Sequence, residues 1–171
     1  MPRVRKQHAI RNADPGLAGF SLVEILVVVM VILIIAAIAI PNLLRARIAA
    51  NESSAVASIR TLNTAQISYN SAYPTVGFAG TMAAMGGTSC APPSSSGACL
   101  IDTQLQSGSK SGYSFALSGV SGTPASTYQF IATPLAPNQT GTRYFCSFAD
   151  AVVRASSAVI STCDTGTNPL Q

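Results

Sequence analysis

Histidine is nearly missing from this chain. The one copy in 171 residues, His8, sits near the start. No histidine follows it, so the rest of the chain has no base for a Ser-His-Asp or Cys-His nucleophilic site. Charge is scarce too: Asp, Glu, Lys and Arg make up 9% of the sequence. The formal charge of +4 is concentrated at the start, where Arg3, Arg5, Lys6 and Arg11 stand against Asp14. After residue 19 the bases are Arg45, Arg47, Arg60, Lys110, Arg143 and Arg154. The acids are Glu24, Glu52, Asp102, Asp150 and Asp164. That near-balance argues against a globally basic, nucleic-acid-binding surface. No ligand-spaced acidic loop suits calcium. No glycine loop followed by lysine suits a phosphate, and no Cys-x-x-Cys pair suits zinc. The sequence therefore points to no cofactor, no metal and no catalytic residue.

What is abundant is apolar sequence in one place. Ile25 to Ile40 are sixteen apolar residues without a break, and Pro41 closes the run. From Phe20 to Ile40 there are twenty-one residues, which as a helix span about 31 Å. A bilayer's hydrocarbon core is about 30 Å thick. The basic residues ahead of the run place that end in the cytoplasm by the positive-inside rule. The apolar core is too long for a secretory signal, and Ala36, Ala37 and Ala39 lie inside the helical pattern rather than at a cleavage site after it. A plain anchor leaves Glu24 unexplained. A charge within hydrocarbon costs roughly 2.5 kcal/mol or more, so such residues are functional by default.

Gly19-Phe20-Ser21-Leu22-Val23-Glu24 followed by an apolar run resembles the type III signal of type IV prepilins and type II secretion pseudopilins. The resemblance covers about residues 16–72. It implies that a membrane peptidase cuts between Gly19 and Phe20, and that the new amine of Phe20 is methylated. Counted from Phe20, Glu24 is the fifth residue and Pro41 the twenty-second, and the family carries a glutamate and a proline there. Two positions depart from the family pattern. The nearest base before the cut, Arg11, is eight residues from Gly19, and Leu33 stands where many members have a mid-helix glycine.

The chemistry gives these residues distinct roles. A buried amine and a buried carboxylate are each costly alone but tolerable together. Glu24 can therefore report register when helices leave lipid and pack in a filament. The resemblance implies that its partner is the Phe20 amine, in the same subunit or a neighbour. The simpler reading of Glu24 is a side chain snorkelling to the lipid headgroups. Pro41 removes a backbone donor and crowds the preceding turn, so it bends or loosens the helix, or simply ends the span. Arg45 and Arg47 follow directly, placed for lipid phosphates or filament neighbours.

Beyond Pro41, Leu44, Ile48, Ala55, Ile59, Leu62, Gln66, Tyr69 and Tyr73 recur mostly three or four apart, the stripe of a helix packed on a core. No glycine occurs from Phe20 to Ala72, and Tyr73-Pro74 marks the end. Residues 74–111, with Gly86-Gly87, Pro92-Pro93 and a serine run, predict a long irregular connection. From 112, alternation appears in Tyr113/Phe115/Leu117, Tyr128/Phe130/Ala132 and Tyr144/Cys146/Phe148, with a last run over Ala151–Ile160. Ser118-Gly119, Pro134–Asn138 and Gly141 read as the turns between them. The pattern predicts an antiparallel meander of three or four strands, with one aromatic face against the helix. Asn51-Glu52-Ser53 and Asn138-Gln139-Thr140 match the short N-glycosylation pattern, which is weak.

Cys90, Cys99, Cys146 and Cys163 lie beyond the membrane segment, where disulfides are favoured. Three pairings are possible. Cys90–Cys99 and Cys146–Cys163 are preferred because each closes a short loop, worth on the order of 3 kcal/mol. The second also resembles the disulfide-bounded loop near the end of many pilins.

The expected fold is α+β, a long N-terminal helix against a small antiparallel sheet head. The expected parts are a cytoplasmic leader (1–19), a helix (20–73, spanning the membrane over 20–40) and a head (74–171). The head comprises an irregular loop (74–111) and a sheet (112–162). The resemblance implies a non-enzymatic structural subunit of a type IV pilus. Its partners would be copies of itself, the prepilin peptidase, the inner-membrane assembly machinery and, before assembly, lipid. It would reside in a bacterial inner membrane with its head in the periplasm, then in a surface pilus. The alternatives are a type II secretion pseudopilin in a periplasmic pseudopilus, and an anchored binding module that never polymerises. Adhesion, twitching motility and DNA uptake are all open, and with them contact with nucleic acid.

Overall fold

The computed structural model describes residues 19–87 and 90–170. The expected leader, Gly19 apart, lies outside them. The chain divides into two compact units, one ending at Ile40 and one beginning at Pro41.

Helix α1 runs over Leu22–Ala72, 51 residues with Pro41 inside it. Its first part is rich in β-branched Val and Ile, which are mediocre helix formers in water. In hydrocarbon a helix is favoured regardless, because it satisfies every backbone polar group internally. From Glu52 onward the helix buries one face: Ala55, Val56, Ile59, Leu62, Ala65 and Tyr69. Full burial of a side chain such as Ile59 or Leu62 contributes roughly 1.5–3 kcal/mol. The last turn closes with the Tyr73 N–H on the Tyr69 carbonyl at 2.9 Å. The helix thus ends at Ala72, one residue before the expected end at Tyr73, and Pro74 follows.

The connection expected to be irregular contains two one-turn helices. Helix α2 is Met82–Met85, with Thr81 Oγ1 accepting the Ala84 N–H at 3.1 Å. Helix α3 is Thr103–Gln106, with Asp102 Oδ1 accepting the Leu105 N–H at 2.7 Å. N-cap oxygens of this kind satisfy donors that a helix leaves unpaired. Each turn also delivers an apolar side chain, Met85 or Leu105, to the core. Such short turns escape a reading based on Gly, Ser and Pro content.

Five antiparallel strands follow in the order β1-β2-β3-β4-β5. They are β1 Ser109–Lys110, β2 Tyr113–Gly122, β3 Ala125–Pro134, β4 Tyr144–Phe148 and β5 Arg154–Ser156. The antiparallel meander is as expected, but it has five strands rather than three or four, and the sheet begins before 112 and ends before 162. Ser118-Gly119 is not a turn. Strand β2 continues through it as an irregularity in register with β3, and the reversal comes at Thr123-Pro124. Gly119 adopts a φ of 62° there, a conformation a β-bulge uses.

Strand β4 is covered on both faces, against the expectation of one aromatic face. Phe145 joins Tyr113, Phe115, Tyr128, Phe130 and the helix in the main core. Tyr144 and Cys146 face the other way and pack with Ile160 and Cys163. The last run contributes only the three residues of β5 to the sheet, and the segment after it supplies that second cluster.

Candidate functional site

Gly19 and Phe20 precede the helix and are exposed, and Glu24 lies in its first turn. A carboxylate there suits the positive end of the helix dipole. Glu24 is exposed and has no hydrogen-bond or ion-pair partner among the described residues. The apolar run after it is exposed nearly throughout, with Val29 at 48%, Leu33 at 63% and Ile38 at 66%. Only Ala36 is half-buried. Apolar area on this scale is unstable in water and marks a surface meant for lipid or another protein. The helix is long and apolar enough to cross a membrane. Pro41 lies inside the helix, at the first residue of the second unit.

In the second unit, three buried polar side chains on α1 fasten the head. Glu52 is 6% exposed. Its Oε1 accepts the Thr142 N–H at 2.9 Å, the Thr142 hydroxyl at 2.8 Å and the Arg143 N–H at 3.2 Å. Its Oε2 accepts Arg143 Nε at 2.8 Å. Burial alone would raise this carboxyl's pKa, but the donors from Thr142 and Arg143 outweigh it and hold the group below its ordinary value. Asn51 adds Nδ2 on the Thr140 carbonyl at 2.9 Å, so that amide is already engaged.

Asn63 donates from Nδ2 to Ser147 Oγ at 2.8 Å and to the Ala151 carbonyl at 3.2 Å, and its Oδ1 accepts the Tyr128 hydroxyl at 3.3 Å. Gln66 exchanges two bonds with the Ala79 backbone, at 3.1 and 2.8 Å. Burial drives the Tyr113 hydroxyl up to about 12, with the nearby Glu52 charge adding to the effect.

Both preferred disulfides are formed. Cys90–Cys99 and Cys146–Cys163 each have a Cα–Cα distance of 5.8 Å. The first ties the connection to itself. The second pins the C-terminal segment to β4 beside Tyr144 and Ile160.

Glu52 and Asn63 carry much of this fastening, and neither stands out in a reading by motif. A signal was nevertheless present. Glu52 is four residues after Ile48 and three before Ala55, so it occupies an empty step of the apolar stripe. A charge on the buried face of a helix needs partners. Gly19 and Glu24, expected to serve cleavage and register, lie in the exposed segment; Pro41, expected to bend the helix, is exposed at the first residue of the second unit, and the four cysteines lie in the head. No protein-family model, curated protein or solved structure matches the chain.

Proposed function

We propose that the chain is a non-enzymatic structural subunit of a type IV pilus. It is cut after Gly19, methylated on the Phe20 amine and held in a bacterial inner membrane until it polymerises through its apolar helix. Its partners in that cycle are the prepilin peptidase, the assembly machinery and copies of itself. The observation that carries the reading is one helix segment with a single carboxylate, Glu24, at its head and an exposed apolar surface along the rest. Lipid covers that surface in one state and neighbouring helices in the other. The head supports the reading as a sealed body whose core and disulfides do not depend on the segment.

The test is intact mass and N-terminal sequence of the protein from sheared surface filaments and from cell membranes. A chain beginning at methylated Phe20 in the sheared fraction is the expected result. The same species confined to membranes would favour the pseudopilin. A chain beginning at Met1 in both fractions would overturn processing and leave an anchored binding module.

A further inference from the structure

Most charges of the second unit are satisfied inside it. Lys110 pairs with Asp102, Arg143 with Glu52 and Arg154 with Asp150. Among the described residues of that unit, Arg45, Arg47, Arg60 and Asp164 have no ion-pair partner. Asp164 is the one side-chain carboxylate in that group.

Asp164 is exposed but held in a fixed pose. Its Oδ1 accepts the Gly166 N–H at 3.0 Å, the Thr167 N–H at 3.1 Å and the Thr167 hydroxyl at 3.2 Å. Its Oδ2 has no hydrogen-bond partner among the described residues. The residue before it, Cys163, is tied to Cys146 and donates its N–H to Gln129 Oε1 at 2.9 Å. One carboxylate oxygen is therefore locked into the turn and the other is presented outward.

The free arginines differ in their surroundings. Arg47 lines a pocket of about 390 Å³ with Leu44, Ile48, Asn138, Gln139 and Thr140. The loop wall is held from within: Asn51 donates to the Thr140 carbonyl, and the Asn138 N–H donates to the Gly141 carbonyl at 2.9 Å. The side-chain amides of Asn138 and Gln139 are exposed and make no hydrogen bond among the described residues. A guanidinium with two unused amide donors suits a carboxylate, and a preformed wall lowers the ordering cost of binding one. Arg60 lies beside Thr61, Thr64 and Ser68. The two threonine hydroxyls there are turned back onto helix carbonyls, which leaves Ser68 as the hydroxyl donor. Arg45 lines neither pocket.

Arg47 and Asp164 are carried by opposite sides of the sheet. Helix α1 packs on the face that Phe145 joins, and Cys163 packs on the other with Tyr144 and Cys146. Complementary groups on opposite sides of one body join different copies head to tail, and such a contact repeats along a row.

We propose that Asp164 of one copy docks in the Arg47 pocket of a second copy. Its free Oδ2 accepts from the Arg47 guanidinium and from a side-chain amide of Asn138 or Gln139, and Leu44 and Ile48 shield the pair from water. The proposal rests on the polymerisation reading and names one contact within it.

The test uses the full chain in sheared filaments. Benzoylphenylalanine replaces Thr165, the exposed neighbour of Asp164, and irradiation links it to whatever lies against it. The expected product is a linked dimer, with the probe joined to tryptic peptide 48–60 or 111–143, which carry the pocket walls. Arg47→Gln should lower the linkage about threefold, the scale of one exposed ion pair. Asp164→Asn, which keeps an Oδ1 for the turn, should do the same, and the two together should lower it no further. Arg60→Gln should leave it unchanged. A link to any other peptide, a link confined to single chains, or an equal loss in Arg60→Gln overturns the contact. Wild-type cells that shed no filaments overturn polymerisation, and the contact with it. Filaments that form but fail the linkage comparison overturn the contact alone.

Discussion

Glu52 and Arg143 form a two-point clasp between helix α1 and the loop joining β3 to β4. One carboxylate oxygen takes Arg143 Nε at 2.8 Å, and the other takes the Arg143 backbone N–H at 3.2 Å. Thr142 adds two more donors to that second oxygen. Glu52→Ala removes every acceptor at once and leaves the donors of Thr142 to find water. The expected cost is about 2–3 kcal/mol, read as a lowered denaturant midpoint of the full chain in detergent. Glu52→Gln keeps one oxygen acceptor and should cost less. Equal midpoints for wild type and Glu52→Ala would show that the loop is held by Asn51 and packing instead.

The same clasp sets an acid limit. Glu52 is held below its ordinary value of 4.5 because its donors outweigh burial. Asp102 is lowered first by its bond from Lys110. Asp150 is lowered because Arg154 outweighs burial. A carboxylate with a depressed folded pKa stabilises the fold above its unfolded pKa, and that contribution disappears as pH falls through the folded one. Stability should therefore be level above about pH 4.5 and decline below it, with a shallower decline in Glu52→Gln.

At alkaline pH the sign reverses. Tyr113 and Tyr128 are pushed up from 10.0 to about 12, mainly by burial. A raised folded pKa contributes stability in full below the unfolded value and loses it as pH rises through the folded one. Stability should fall between pH 10 and 12. Tyr69 is raised by burial as well, so tyrosinate absorbance should show Tyr113 and Tyr128 among at least three tyrosines titrating late, and their normal titration in the folded protein would contradict the buried placement.

The two disulfides should differ in weight. Their loops span 9 and 17 residues, and chain entropy gives about 3 kcal/mol for each. Cys146 and Cys163 are also both buried in the second cluster, whereas Cys90 is exposed. Replacing Cys146 and Cys163 by Ser should lower the unfolding midpoint more than replacing Cys90 and Cys99. It should also open the segment after Ser156 to protease.

Glu24→Ala tests the filament reading directly. Insertion should remain, because the variant removes a charge from an apolar helix, and filament yield should fall. Normal yield would remove the register role from Glu24. Replacing Gly19 with Trp should block processing, and a variant that still loses its leader would place the cut elsewhere.

The helix and its two characters were legible in the sequence because they rest on local rules. Sixteen apolar residues, a missing glycine and a three-four stripe need no distant partner to be read. The disulfide pairing followed from loop length alone. The cleavage and register residues were legible by resemblance, and their roles stand as proposals. Other features depended on partners 65 to 91 residues away along the chain, such as Asn63 on Tyr128 and Glu52 on Arg143. Strand β4 shows why. Its alternation marks two faces, but only the fold of the C-terminal segment makes both of them interior. Likewise Ser118-Gly119 has the composition of a turn, and pairing with β3 converts it to a bulge. Periodicity reports that a face is buried. What lies against it, and which polar groups must be satisfied there, is decided when distant segments meet.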